Sequence, residues 1–317
     1  QAALKQRTAE ERQRMADALA AREAEIDHLV ALLEETQRQG RGASPEEVKA
    51  LTRRLKALET EHAGAEALIK RYGRSVCFLY GAYGFTEKGK PRVVPPVLLE
   101  YMGTGFLIDD KGLIITNRHV IEPWSMDPSG AELLEAGMAP KLVTLLAYFP
   151  GRPTPYDVSP VRSSTDGDMA VGRLSPIPEG IPPIRIRNPA PEGVIGEAVV
   201  VLGYPVGVEG LLARMDSKVV GALLKRPGHH LGRLVQDIAE RNGIRPLATQ
   251  GHIGDLVPGR VVYDAQTTGG ASGSPVFNSR GAVIAVNAAT MTRFGGASFG
   301  VPIRLIHSIH PVSPSAR

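Results

Sequence analysis

Thr268-Gly269-Gly270-Ala271-Ser272-Gly273-Ser274-Pro275-Val276-Phe277 sets one serine in a glycine-rich turn between two apolar strands. A serine hydroxyl is a weak nucleophile at neutral pH, so it needs a base within hydrogen-bond reach and donors for the oxyanion formed on an attacked carbonyl. With no side chain at Gly270 and Gly273, the backbone can fold tightly and let a carbonyl approach the N–H groups of Gly270 and Ser272. Standing alone, the run reads equally well as a Gly/Ser turn between strands.

Two further segments add the missing chemistry. Gly103-Thr104-Gly105-Phe106-Leu107-Ile108, a turn, and Gly112-Leu113-Ile114-Ile115-Thr116-Asn117-Arg118-His119 form an apolar hairpin that delivers His119 to its end. In Thr165-Asp166-Gly167-Asp168-Met169-Ala170-Val171, Asp168 directly precedes a short apolar strand, from where a carboxylate can orient an imidazole. Asp166 is the rival orienter, with a turn cap as its other reading.

In the chain order His119, Asp168, Ser272, these segments resemble the trypsin-like, chymotrypsin-fold serine peptidases, and within them the HtrA/Deg branch. The order separates this group from other folds that carry the same triad. Ala198 to Gly207, with its Gly203-Tyr204-Pro205-Val206-Gly207 turn, is similar to a strand and turn of that branch. Gly281 to Asn287 and Phe299-Gly300-Val301-Pro302 are similar to its strand after the nucleophile and its closing strand. The resemblance spans roughly residues 73–310. It implies an all-β double β-barrel in which Ser272 attacks a peptide carbonyl, His119 carries the proton and Asp168 holds the His119 tautomer. It implies an oxyanion hole from the amides of Gly270 and Ser272, and a protein or peptide as substrate. A periplasmic or secreted setting also follows from the resemblance, with the cytoplasm left open. Ser274 stands where trypsin-like members more often carry glycine, Ala271 replaces a commoner polar residue, and no PDZ-like segment follows residue 310.

The spacing predicts a strand over Val219 to Leu224, another starting near Val261, and an insertion over 225–260 between them. Leu231, Leu234, Val235, Ile238 and Ala239 have helical spacing that stops at Asn242-Gly243, which predicts a short surface helix acting as a lid or an assembly element.

At 317 residues and 43% hydrophobic, the chain can bury a large core and carry an appendage. The single Cys77 excludes an internal disulfide, leaves the redox compartment open, and reads as a buried inert thiol in the first strand. A net charge of +4, with no basic block interleaved with aromatics, argues against a nucleic-acid partner. No run of 18 apolar residues exists to span a bilayer. The chain opens on Gln1 without a signal-like apolar core, and the expectation is a processed form from which a signal or anchor has been removed. No cofactor and no metal are expected; His229-His230, adjacent in sequence, are poorly arranged for joint ligation.

The first 70 residues are rich in Ala, Glu, Leu, Arg and Lys and lack aromatics, which puts a boundary near Arg71 to Arg74. Met15, Leu19, Arg22, Ile26, Leu29, Leu33 and Thr36 alternate steps of four and three, a heptad seam that Arg22 interrupts. Val48, Leu51, Leu55, Leu58, His62, Ala65 and Ile69 form a second seam. Ser44, Pro45 and Glu47 make a helix start between them. The seams are out of phase, which favours an antiparallel helical hairpin over a parallel coiled coil with a break. The predicted organisation is a helical coiled coil or hairpin over 1–72, a peptidase domain over 73–312 and a tail over 313–317, with self-association or a partner protein acting through residues 1–70.

Two other functions remain open on sequence: a catalytically silent scaffold or sensor, and acyl transfer to a non-peptide substrate through the same residues. The resemblance implies a primary substrate pocket near Gln266, Asn287, Ala288 and Ala289, and no carboxylate falls there. An unpaired cation would be desolvated in it, so cleavage is expected after small or medium apolar side chains. A peptide library cut mainly after Lys or Arg would overturn that preference.

Overall fold

The computed structural model describes residues 64–87, 98–125, 128–226, 230–290 and 297–310, with scattered helical positions between 3 and 53. Twelve strands close into two antiparallel barrels. The first is built from β1 (Val76–Thr86), β2 (Leu99–Leu107), β3 (Leu113–Thr116), β4 (Ala139–Tyr148), β5 (Tyr156–Ser163) and β6 (Ala170–Ser175) in the order β1-β2-β3-β6-β5-β4. The second contains β7 (Ala198–Gly203), β8 (Leu247–Val257), β9 (Arg260–Tyr263), β10 (Pro275–Asn278), β11 (Val283–Thr290) and β12 (Ser298–Pro302), in the order β10-β11-β12-β9-β8-β7.

Alternation along the strands explains why both barrels are apolar on two sides. In β1, Cys77 and Leu79 fill the first barrel, while Val76, Phe78 and Tyr80 face a core shared between the barrels. In β7, Val199 and Val201 fill the second barrel, while Val200 and Leu202 join the shared core. A period of two with both faces covered yields the continuous apolar runs seen in the sequence. Tyr204 closes the seam: its ring packs edge-on against Phe78 at 5.4 Å and its hydroxyl donates to Val76 O at 3.0 Å. Burial drives the Cys77 thiol far above the ordinary thiol range, in keeping with an inert core residue.

The predicted strand over Val219 to Leu224 is instead a helix, Ser217–Lys225. Asp216 caps it, accepting from Lys218 N at 2.8 Å and Val219 N at 3.2 Å, and Val220, Leu223 and Leu224 bury one helical face. The periodicity of so short an apolar run does not separate strand from helix. The inserted segment also shifts from the expected 225–260. It consists of the helices Val208–Ala213, Ser217–Lys225 and Leu231–Ala239, after which residues 247–257 return as barrel strand β8.

The helix Leu231–Ala239 forms where its spacing predicted it, but it is no loose lid. Leu234, Val235, Ile238 and Ala239 are buried in the core shared with Phe78, Tyr80 and Tyr204. Its first turn is held by Glu100 of β2, whose carboxylate accepts from Leu231 N and Gly232 N, each at 3.2 Å, and from Tyr80 OH at 2.6 Å. His230 stands 3.6 Å from the same carboxylate.

At the amino end, the positions described between 3 and 53 are helical, as are residues 64–72. A turn at Gly73–Ser75 then leads into β1. Ala65 of the second seam is buried, but Ile69 is 40% exposed, and Leu68 and Tyr72 turn to the core in its stead, Tyr72 stacking on Phe277 at 5.3 Å. The last turns of this helix therefore pack on the barrels. The other seam positions, the Ser44-Pro45 start, His62 and His229 lie outside the described residues. Nearer the start, Leu4 packs on the shared core, Thr8 is buried, and Arg7 pairs with the buried Glu209 at 3.0 Å.

Glu100 sits between opposing effects: burial pushes its carboxyl up, and the hydrogen bonds from Tyr80 and the two amides together bring it below its ordinary value of 4.5. A depressed carboxylate stabilises the fold above its unfolded value and loses that contribution as pH falls through the lower folded value. Glu100→Gln is therefore expected to melt a few degrees below wild type at pH 7, the gap closing in melts taken below pH 4.5. Equal melting temperatures at pH 7 would remove Glu100 as the anchor of the insertion.

Candidate active site

β3 ends at Thr116, and His119 follows on the first turn of the short helix Arg118–Ile121 rather than on the strand itself. Its ring Nδ1 lies 2.6 Å from Asp168 Oδ2, and its backbone N–H donates to Asp168 Oδ1 at 3.0 Å. Asp168 is fixed from the other side: the buried Asn117 donates through Nδ2 to Asp168 O at 2.7 Å. With Nδ1 directed at a carboxylate, the Nε2 face is the one available to a reacting proton. Asp166 takes the turn role. Its amide donates to Ser164 Oγ and its exposed carboxylate accepts from Thr165 Oγ1 at 3.0 Å.

Ser272 lies in the turn ahead of β10. A Cβ at Gly270, whose φ is +96°, would stand 2.6 Å from Tyr204 O and 2.7 Å from Gly207 N. At Gly273, with φ +92°, a Cβ would run into Thr104 O and Thr116 Oγ1. Both glycines are required, for left-handed backbone and for close approach. Among the described residues, neither the Gly270 N–H nor the Ser272 N–H has an acceptor, whereas Ala271 N donates to Thr268 O, Gly273 N to Asn287 O and Ser274 N to Ala271 O. Two unengaged donors flank the hydroxyl, which suits a developing oxyanion.

The hydroxyl itself donates to Ala288 O at 3.2 Å, and among the described residues it makes no hydrogen bond to His119. The two halves are nevertheless adjacent. A Cβ built at Gly103 would meet Val120 Cγ1, next to His119, at 2.8 Å and stand 3.5 Å from Ser272 O.

Of the residues expected to line a substrate pocket, Gln266 is exposed, and Ala288 is half-buried with its carbonyl on the Ser272 hydroxyl. The side chain of Ala289 lies outside the described residues. Asn287 differs from the expectation. Only 2% exposed, it accepts from Tyr263 OH at 2.5 Å and donates to Ala271 O at 3.0 Å, so it braces the serine loop from beneath. Its strand position was readable in sequence, but its inward direction follows from the irregular β11–β12 register between Asn287 and Ala289.

Three residues that sequence reasoning did not single out shape the site: Asn117, Thr116 and Thr104. The available signal was polarity inside otherwise apolar strands, Thr104 between Gly103 and Gly105 and Thr116-Asn117 at the end of an isoleucine run.

The model of the trypsin-like peptidase domain matches residues 103–286, more than half of the chain and the whole span from Thr104 to Ser272. The chain belongs to the trypsin-like peptidase family. Among its curated relatives are the putative serine protease HhoA of Synechocystis sp., 28% identical over 63% of this chain, and the serine protease PepD of Mycobacterium tuberculosis, 27% identical over 66%. Glutamyl endopeptidase of Staphylococcus aureus is 26% identical over 63% of the chain and 50% of its own length. The chain spans 38–40% of the length of the first three curated relatives. A serine endoprotease of Yersinia pestis, 18% identical, aligns with a TM-score of 0.49 over 77% of this chain and 64% of that one. In this trypsin-like peptidase domain, no helix among the described residues is long and apolar enough to cross a membrane, and no group of His, Cys, Asp or Glu among them is arranged to hold a metal ion.

Proposed function

We propose that the chain is a serine endopeptidase working through Ser272, His119 and Asp168. The observation that carries this reading is the 2.6 Å His119–Asp168 contact beside a serine whose flanking amides have no acceptor among the described residues. Membership of the trypsin-like peptidase family supports it.

In the reaction, the Ser272 hydroxyl turns about its Cα–Cβ bond from Ala288 O to His119 Nε2, a step between staggered rotamers. Oγ then bonds to the scissile carbonyl carbon while Nε2 takes the hydroxyl proton, and Asp168 balances the imidazolium through Nδ1–H. The carbonyl oxygen becomes an oxyanion and accepts from Gly270 N and Ser272 N. Collapse of the tetrahedral intermediate breaks the C–N bond, and Nε2 returns the proton to the leaving amine. Water, deprotonated at the same nitrogen, then hydrolyses the acyl-enzyme. Loss of one oxyanion donor in such a site costs about 10²–10³ in turnover.

The lack of a carboxylate among Gln266, Asn287, Ala288 and Ala289 supports cleavage after small or medium apolar side chains. The second reading, a catalytically silent scaffold, is favoured by one observation: the Ser272 hydroxyl is engaged by Ala288 O rather than by His119. In resting enzymes of this kind, catalytic hydrogen bonds commonly tighten only with substrate bound.

Residues 1–72 are the input that controls the domain. The Arg7–Glu209 pair and the burial of Ala65 and Leu68 in the shared core support a mechanical connection.

Two measurements test these readings. Intact mass after treatment with a fluorophosphonate is expected to show one adduct on the wild type and none on Ser272→Ala or His119→Ala. An unlabelled wild type would favour the scaffold. Deleting residues 1–60, which spares Ala65 and Leu68, is expected to change labelling rate or oligomeric state, and no change in either would sink control through the helices.

A further inference from the structure

Thr104 lies in β2, in the first barrel, and is fully buried. Four of its interactions reach the parts of the site described above. Its N–H donates to Ser272 O at 2.7 Å, and its Oγ1 donates to Gly270 O at 2.8 Å. Thr104 Oγ1 also accepts from Tyr204 N at 3.3 Å, and its carbonyl accepts from Thr116 Oγ1 at 2.7 Å, three residues before His119. One residue of the first barrel therefore holds the carbonyls of Gly270 and Ser272, the end of β7 behind them, and the end of the strand that leads to His119.

We infer that Thr104 is a positioning residue that sets the oxyanion-hole geometry of the serine loop in register with His119. The peptide unit after Gly270 is oriented by the bond from Thr104 Oγ1 to Gly270 O. The unit after Ser272 is oriented by the bond from Thr104 N to Ser272 O. Those two units bracket the Ala271–Ser272 unit, so the backbone that carries the Ser272 N–H is pinned at both ends and the backbone after the Gly270 N–H is pinned on one side; neither N–H has an acceptor among the described residues. A loop rich in glycine has no side-chain sterics to impose this arrangement, so an external clamp supplies it. The clamp sits on the barrel that carries His119 and Asp168, which couples the position of the oxyanion donors to that of the base.

Removing the hydroxyl leaves Gly270 O and Tyr204 N buried without their partner, and the loop gains freedom at the point where the oxyanion is held. Misplacement of a reacting group by about 1 Å from a change outside the chemistry can cost about 10²-fold. Thr104→Val keeps the shape and removes the hydroxyl, while Thr104→Ser keeps the hydroxyl.

This inference rests on Ser272 being the nucleophile for its functional arm and on geometry alone for its structural arm. Wild type, Thr104→Val, Thr104→Ser and Ser272→Ala are to be compared by saturation kinetics of fluorophosphonate labelling and by hydrogen exchange of peptides covering residues 266–276. Thr104→Val is expected to lower the maximal labelling rate about tenfold to a hundredfold with the half-saturating probe concentration unchanged, and to speed exchange in that peptide. Thr104→Ser is expected to restore both. Labelling and exchange in Thr104→Val equal to wild type would overturn the inference, as would a Thr104→Ser variant as impaired as Thr104→Val. If the wild type is not labelled while Ser272→Ala is equally silent, the nucleophile reading fails. The exchange comparison then still decides whether Thr104 holds the loop.

Discussion

The bonds from Thr104 to Gly270 O and Ser272 O join two barrels whose shared core is apolar. Packing of that kind is strong and non-directional, so it brings the barrels together without fixing the hydroxyl of Ser272 to the fraction of an ångström that chemistry requires. Buried, directional hydrogen bonds do fix it, because the alternatives leave buried polar groups unpaired. The site thus depends on a polar clamp set into an apolar interface. Asn287 repeats the device from the opposite side, where it ties Ala271 O to Tyr263.

The shared core makes that interface possible. Strands β1 and β7 each send alternate side chains into their own barrel and into the space between the barrels. The inserted helices fill the remainder of this space, with Ile238, Leu234 and Leu223 packed beside Phe78 and Tyr204. Glu100 fixes the start of the helix Leu231–Ala239 to β2, four residues before Thr104. The insertion, β2 and the serine loop therefore form one continuous set of contacts. Helical residues 64–72 join it through Ala65, Leu68 and the Tyr72–Phe277 stack.

Much of the site was legible because its components are local. The glycine run around Ser272, the apolar lead into His119 and the position of Asp168 ahead of a short strand are patterns of a few residues each. In the structure, His119 and Asp168 meet, and Asp166 is left to its turn. Where the reading failed, local pattern did not discriminate. Val219 to Leu224 is a short apolar run whose state was decided by the Asp216 cap and by the core it faces. The 225–260 insertion was misjudged for the same reason, since residues 247–257 are strand only by pairing with β7 and β9.

By itself the amino-acid sequence determined the burial of Cys77, the helix over Leu231–Ala239 and the residue types of the site, because apolar runs, helical spacing and glycine-dependent turns are short-range constraints, while the two-barrel class came through the family resemblance that the segments around His119, Asp168 and Ser272 carry. Only the tertiary structure decided that Thr104 and Asn287 clamp the serine loop, that Ser272 rests on Ala288 O, and that the insertion belongs to the core. Each of those outcomes joins residues far apart in the chain, Thr104 and Gly270 being separated by 166 positions. Contacts of that range depend on how two closed barrels meet, a geometry that no local pattern encodes.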